Sequence, residues 1–256
     1  KRFRRSVLAA ACSGRLTADW REKNPNVEPA EELLKGIQEE RLNNAKTSKQ
    51  KTNIKQIYRQ EEQEDSSNLP ESWKYIFLDK LCESFDYGTS QKSRKQGKVP
   101  VLRMGNIQDG EIDLDDLVYS SDEEEVEKYR LSVNTVLFNR TNSAEKVGKT
   151  AIYRGNYPAI FAGYLIRINN YQELDPEYLN YCLNTPYARK YCNHVKTDGV
   201  NQSNINAKKL AKFEVPFCPL EEQKEIVRRV KALFKKCDLI EQRYQQAKAS
   251  TDKLTQ

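Results

Sequence analysis

The sequence predicts an α+β protein: a globular part built on a curved, mostly antiparallel sheet, followed by one long helix whose apolar seam needs a partner helix. Two observations carry this. Across residues 66–217, short runs rich in β-branched and aromatic residues alternate with turn residues. Across residues 218–256, apolar side chains recur at alternating steps of four and three, the spacing of a heptad.

Residues 1–65 read as a helix end, a short helix and a polar linker. Phe3, Val7 and Ala10 fall at helical spacing, and Gly14 is a natural stop. After Asn24-Pro25-Asn26, Pro29 opens a second helix, with Glu31 and Glu32 matching the positive end of its dipole. The tract 43–65 is rich in Lys, Gln, Asn and Glu and poor in apolar residues, and is expected to be a solvated linker. In the globular part, strands are expected at Trp73–Leu78, Val99–Met104, Val136–Asn139, Thr150–Tyr153, Ala159–Ile168 and Phe213–Phe217. A helix capped by Asp175 should reach about Cys192, and a short one should cover Asn206–Lys212.

The third region opens at Pro219. Its seam is Ile226, Val230, Leu233, Cys237, Ile240, Tyr244, Ala247, Thr251 and Leu254, with charged and amide residues elsewhere. A lone helix of this kind would leave the seam in water.

Composition narrows the function. The net charge is +6 and the pI about 8.8, which suits an anionic partner without requiring one. His194 is the only histidine, and the cysteines at 12, 82, 182, 192, 218 and 237 form no C-x-x-C pair. A zinc site and histidine-based catalysis are therefore not expected, and the thiols read as reduced, in a cytoplasmic protein. No apolar run approaches the length of a membrane span. Gly148-Lys149-Thr150 lacks the glycine-rich cradle of a phosphate loop. Asn184-Thr-Pro-Tyr187 has no cofactor-binding glycine motif before it, and the Glu-x-Lys spacing of Glu222 and Lys224 falls in a first helical turn, where charges cap. No catalytic residue, cofactor or metal is expected.

Several motifs together resemble one family. Leu69-Pro-Glu-Ser-Trp73 is similar to the opening of the target-recognition domains of Type I restriction-modification specificity subunits. Val99 to Ile107, then Asn139-Arg-Thr-Asn-Ser143 with Val147-Gly-Lys-Thr-Ala151, and Asn201-Gln-Ser-Asn-Ile-Asn206 resemble further signatures in the same order. Pro219-Leu-Glu-Glu-Gln-Lys-Glu-Ile226 resembles the start of the family's spacer helix, and Ser6 to Ala11 with Gly14-Arg-Leu16 resembles that helix's far end. The resemblance implies a non-catalytic DNA-recognition subunit that reads one half of a bipartite target in double-stranded DNA. It implies methyltransferase (modification) and restriction subunits as partners, with methylation and cleavage on those chains. It also implies that the long helix pairs in an antiparallel coiled coil, either with the other half of the subunit or with a second copy. The family's subunit holds two recognition domains and two spacer helices, whereas this chain has one of each and starts at Lys1, so it reads as the C-terminal half of a longer protein. A methyltransferase or nuclease fragment, and a coiled-coil scaffold without nucleic acid, are the alternatives.

Under that resemblance, three polar segments are the candidate DNA readers. The first is Thr89, Ser90, Gln91, Lys92, Ser93, Arg94 and Lys95; the second is Arg140, Thr141, Asn142 and Ser143, with Lys146 and Lys149 following. The third is Lys196, Thr197, Asn201, Gln202, Ser203 and Asn204. Lysines and arginines can anchor phosphates, arginine can pair with guanine, and asparagine or glutamine with adenine. The acidic tract Asp109–Glu127 should face away from the phosphates. A helix across residues 218–256 would measure roughly 57 Å at ~1.5 Å per residue, on the order of 17 base pairs at ~3.4 Å each.

Overall fold

A computed structural model describes residues 2–254. The elements in order are α1 (Arg2–Ala11), α2 (Ala18–Lys23), α3 (Ala30–Asn44), α4 (Ser48–Tyr58), β1 (Lys74–Phe77), β2 (Cys82–Tyr87), β3 (Val99–Leu102), β4 (Ile107–Gln108), β5 (Gly110–Ile112), β6 (Val118–Ser120) and α5 (Glu123–Tyr129). Then come β7 (Thr135–Asn139), β8 (Thr141–Asn142), β9 (Thr150–Tyr153), β10 (Ile160–Phe161), β11 (Leu165–Asn170), α6 (Pro176–Leu183), α7 (Pro186–Val195), β12 (Thr197–Asp198), β13 (Ser203–Asn204), α8 (Ala207–Leu210), β14 (Glu214–Phe217) and α9 (Leu220–Leu254).

The expected α+β class, with a mostly antiparallel sheet, holds. The central sheet has the order β2-β11-β7-β9-β5-β4, and only its β5–β9 pairing is parallel. Its two faces follow from strand alternation. Val136 and Phe138 of β7, Ile152 of β9 and Ile166 of β11 enter the main core with α1, α3, α6, α7 and the start of α9. Leu137, Ala151, Tyr153 and Leu165 point the other way, onto a small sheet of order β10-β3-β6. β1 and β14 pair at the base of the head.

Two expected elements divide. The helix begun at Asp175 breaks at Asn184, because Thr185 caps a new helix through its side chain to the Ala188 amide at 3.1 Å, with Pro186 behind it. The run Ala159–Ile168 breaks between β10 and β11, at Ala162-Gly163-Tyr164.

The polar tract 43–65 is not a free linker. Thr47 and Gln50 form a reciprocal capping box that starts α4. The segment is then tied to the head: the Tyr58 hydroxyl donates to the Lys80 carbonyl at 2.7 Å, and the Gln63 and Glu64 amides both donate to the Glu214 carboxylate at 2.8 Å. Polar residues replace apolar ones because the tract is held by hydrogen bonds to the head's backbone and charges.

α9 runs antiparallel to the first segment of the chain. Arg4 pairs with Asp238 and lies 4.7 Å over the Phe234 ring, while further along Arg229 reaches the Leu16 carbonyl and Asp19, and Thr17 reaches Glu222. The seam divides accordingly. Ile226 and Val230 are core residues of the head, corrected here from the partner-facing role expected of them, because α6 and α1 already cover this end. Leu233 packs at the margin with Phe234, and Cys237 is half-buried. Beyond it Ile240 is 69% and Tyr244 64% exposed, and Ala247 lies on the same exposed stretch. The side chains of Thr251 and Leu254 lie outside the described residues. No helix is long and apolar enough to cross a membrane among the described residues.

Charge holds this junction. Arg228 and Arg229 hold the Glu225 carboxyl down to about 2, and Arg229 holds Asp19 below the usual carboxylate range. A carboxylate depressed by folding adds stability above its unfolded value and loses it as pH falls through the folded one. Stability contributed here is therefore expected to fade from about pH 4.5 toward about 2. Thermal melts across that window should show a smaller pH-dependent loss in Arg229→Met than in the parent; an equal loss would place the acid sensitivity elsewhere.

Candidate nucleic-acid interface

The three polar segments meet on one side of the head. β8 and the β12–β13 hairpin form a single antiparallel sheet, with Asn142 opposite Ser203 and Thr141 opposite Asn204. This joins the second and third segments. The first is joined through Tyr87, where β2 ends: the Arg140 guanidinium lies 4.7 Å over its ring, and its hydroxyl accepts from the Ala207 amide at 2.9 Å.

Arg140 sits at the centre. Its backbone amide donates to the Tyr164 carbonyl and its carbonyl accepts from Ile205, both at 2.9 Å. One guanidinium nitrogen reaches the Gly163 carbonyl at 3.3 Å and the other Asn204 Oδ1 at 3.4 Å. Both contacts are long, so the fork is oriented but not consumed. Asn204 is itself aimed by its amide donating to Thr141 Oγ1 at 2.8 Å.

The first segment is welded at both ends and open between them. At Gly88 an added Cβ would stand 2.2 Å from the Phe161 carbonyl oxygen, so only glycine lets the chain pass there. Thr89 then exchanges backbone hydrogen bonds with Phe161 and Gly163. Arg94 is pinned by a two-way backbone bridge to Tyr119 at 2.8 and 2.9 Å. Between and beside these points Ser90, Gln91, Lys92, Arg94 and Lys95 are exposed, with Ser93 half-buried. Lys92, Arg94 and Lys95 have no carboxylate partner among the described residues.

Several candidates serve the scaffold. Thr89 is buried and donates to Glu125; Thr141 is buried under the Asn204 amide; Ser203 is buried and donates to Asp198. Lys196 is paired with Asp198 at 2.6 Å, and Lys209 reaches Thr197 Oγ1 at 2.7 Å. Lys149 turns away to Gln108 at 2.7 Å, while Lys146 is exposed on the turn that follows β8. Asn142 accepts from the Ser143 amide at 2.8 Å, and the Ser143 hydroxyl is buried. Asn201 and Gln202 are exposed at the hairpin tip.

The acidic tract does not stand apart from the basic loop. Its Tyr119–Glu125 part is the seat on which residues 89–98 rest, through Arg94–Tyr119, the Lys98–Glu123 ion pair at 3.0 Å and the buried Glu125 beneath Thr89. The local reason is hydrogen bonding: Glu125 accepts from both Thr89 and Ser120. The Asp109–Glu111 end faces Arg154 instead.

Glu222 is structural. Fully buried, it accepts from Thr17 Oγ1 at 2.6 Å and from the Trp73 indole at 2.7 Å, and pairs with Arg21. Gln223 beside it donates to the carbonyls of Glu173 and Cys218 and accepts from the Asp175 amide. These contacts fix where the long helix leaves the head.

Tyr87, Tyr164 and Val200 also belong to the surface; they are 43%, 45% and 101% exposed. Tyr87 carried a signal, an aromatic at the mouth of a basic loop. Tyr164 was hidden inside what reads as a continuous apolar strand.

The head gathers its polar loops on one side, and its outgoing helix is anchored through Glu222 and Gln223. The type I restriction modification DNA specificity domain family matches residues 70–249, and the chain belongs to that family. The chain is 33% identical over 181 residues to a putative type I restriction enzyme MjaX specificity subunit of Methanocaldococcus jannaschii, covering 68% of this chain and 42% of that one. It is 29% identical over 262 residues to the EcoKI specificity subunit of Escherichia coli K12, covering 100% of this chain and 47% of that one. The chain thus spans about half the length of the curated relatives it matches. The fold is shared with a chain from a type I R-M system structure, at TM-score 0.58, 19% identity, 88% coverage of this chain and 54% of that one. It is also shared with the HsdS subunit of Thermoanaerobacter tengcongensis, at TM-score 0.51, 18% identity, 93% coverage of this chain and 52% of that one.

Proposed function

We propose that this chain reads one half of a bipartite sequence in double-stranded DNA for a Type I restriction-modification complex, in the cytoplasm, and performs no chemistry itself. Residues 66–217 act as the reader. Gln91, Lys92, Arg94 and Lys95, Arg140 and Asn142, and Asn201, Gln202 and Asn204 face the duplex, while Thr89, Thr141, Ser143, Lys196, Thr197 and Ser203 shape the surface that carries them. The observation that carries this reading is the convergence of the three polar segments around Arg140.

Methyltransferase and restriction subunits supply methylation and cleavage and dock on the specificity subunit. The exposed Ile240 and Tyr244 row on α9 supports a second antiparallel helix there, from the other half of the subunit or a second copy. The first helix, α1, and α9 then belong to the spacer, which sets the distance between half-sites.

Salt titration of DNA binding by the assembled complex tests the reading. Each phosphate-bound cation contributes about one unit to the slope of log affinity against log salt. Neutralising Lys92, Arg94 and Lys95 together is expected to lower that slope by roughly two to three. An unchanged slope with unchanged affinity would remove the first loop from the interface.

A further inference from the structure

We propose that the Thr197–Asn204 hairpin enters the major groove of the recognised half-site, and that Val200 at its tip reads a thymine through the 5-methyl group of that base. This rests on the reading that the head binds duplex DNA. It adds a groove, a contact residue and a base.

The hairpin is a finger with a fixed stem and a bare tip. Thr197 pairs with Asn204 and Asp198 with Ser203, and the Gly199 amide closes the turn on the Gln202 carbonyl at 2.8 Å. Side chains brace the stem from both sides: Lys196 to Asp198 at 2.6 Å, and Lys209 to Thr197 at 2.7 Å. Its root is β8, next to Arg140. The finger therefore cannot swing independently of the rest of the interface.

Val200 is wholly exposed at the tip, between Gly199 and the exposed amides of Asn201 and Gln202. No packing within the head accounts for an apolar residue there. Valine is stiff at χ1, so it gives up little freedom on contact. A two-stranded ribbon fits the major groove, about 12 Å wide, and not the minor groove at about 6 Å. The thymine methyl is an apolar feature of the major groove, and the flanking amides match adenine edges in the same groove. Valine is also shorter than the Phe, Leu, Ile or Met side chains that wedge open base steps from the minor groove.

The test uses the full specificity subunit carrying this segment, assembled with its methyltransferase subunits. Binding is measured on duplexes in which each thymine of the half-site is replaced, one at a time, by deoxyuridine, which removes only the methyl. At one position the parent complex is expected to bind about fourfold more weakly, the worth of one buried methyl-sized group. Val200→Ala should lower affinity for the thymine duplex and no longer tell thymine from uracil at that position. Because Val200 touches nothing in the head, the variant should keep the parent's melting temperature and salt slope, which excludes misfolding as the cause. A half-site without thymine on either strand, a parent complex indifferent to every uracil, or a Val200→Ala complex that still discriminates would each overturn the inference. In all three cases retained preference for the cognate sequence leaves the DNA-reading function standing. Loss of sequence preference in the parent complex overturns both.

Discussion

Replacing Glu222 with alanine is expected to cost the protein roughly 3–5 kcal/mol of unfolding free energy, the range for breaking a buried ion pair by removing one partner. The carboxylate is inaccessible and receives donors from two separate parts of the chain: Thr17 and Arg21 before the head, and Trp73 at its entrance. Removal leaves the Trp73 indole N–H without an acceptor and the guanidinium of Arg21, only 20% exposed, without its counter-charge. Glu222→Gln keeps the volume and one acceptor, so it should fall between parent and alanine. Urea denaturation at neutral pH measures all three. A loss under about 1 kcal/mol for the alanine variant would mean that apolar packing alone holds the joint.

Arg140→Ala is expected to weaken binding to the cognate duplex by about 1–3 kcal/mol and to flatten preference at one base pair. The guanidinium is held over Tyr87 and lightly tethered to Gly163 and Asn204, with its fork still able to meet a guanine edge. Lysine should not rescue, since it offers neither the planar stack nor two parallel donors. Competition binding against every single-base-pair variant of the half-site separates the outcomes. A uniform loss across all duplexes would make Arg140 a phosphate anchor, and the base reader would have to be sought among the amides of Gln91, Asn201 and Gln202.

Periodicity made the long helix and the strands β1, β3, β7, β9, β11 and β14 legible in the sequence, because burial imposes steps of two on a sheet and of three and four on a helix; it did not mark the six-residue β2, whose Glu83, Ser84 and Asp86 dilute the apolar pattern. It failed where polar contacts decide. Residues 43–65 lack apolar rhythm, yet Thr47 and Gln50 cap a helix there, and the Glu214 carboxylate and Lys80 carbonyl hold the tract down. Strands of two or three residues, such as β4, β8 and β13, are too short to show alternation. The seam does run past the head, leaving Ile240 and Tyr244 exposed, but its first members, Ile226 and Val230, are core residues, and only contacts from α1 and α6 reveal that. Around the interface, composition picked out the polar segments and spacing could not show that they meet. Nor could it show that Thr89 and Ser203 point inward to Glu125 and Asp198. Net charge also says nothing of Glu125, which is a hydrogen-bond acceptor under the basic loop.

The central claim is that the head chooses bases and the joined helix fixes where it does so. Exchanging residues 66–217 for the corresponding segment of another specificity subunit, and mapping methylated adenines in a host that carries the complete complex, tests this directly. One half of the bipartite target should change, while the other half and the number of base pairs between them stay the same. An unaltered target, or a change in spacing with the same helices in place, would contradict the account.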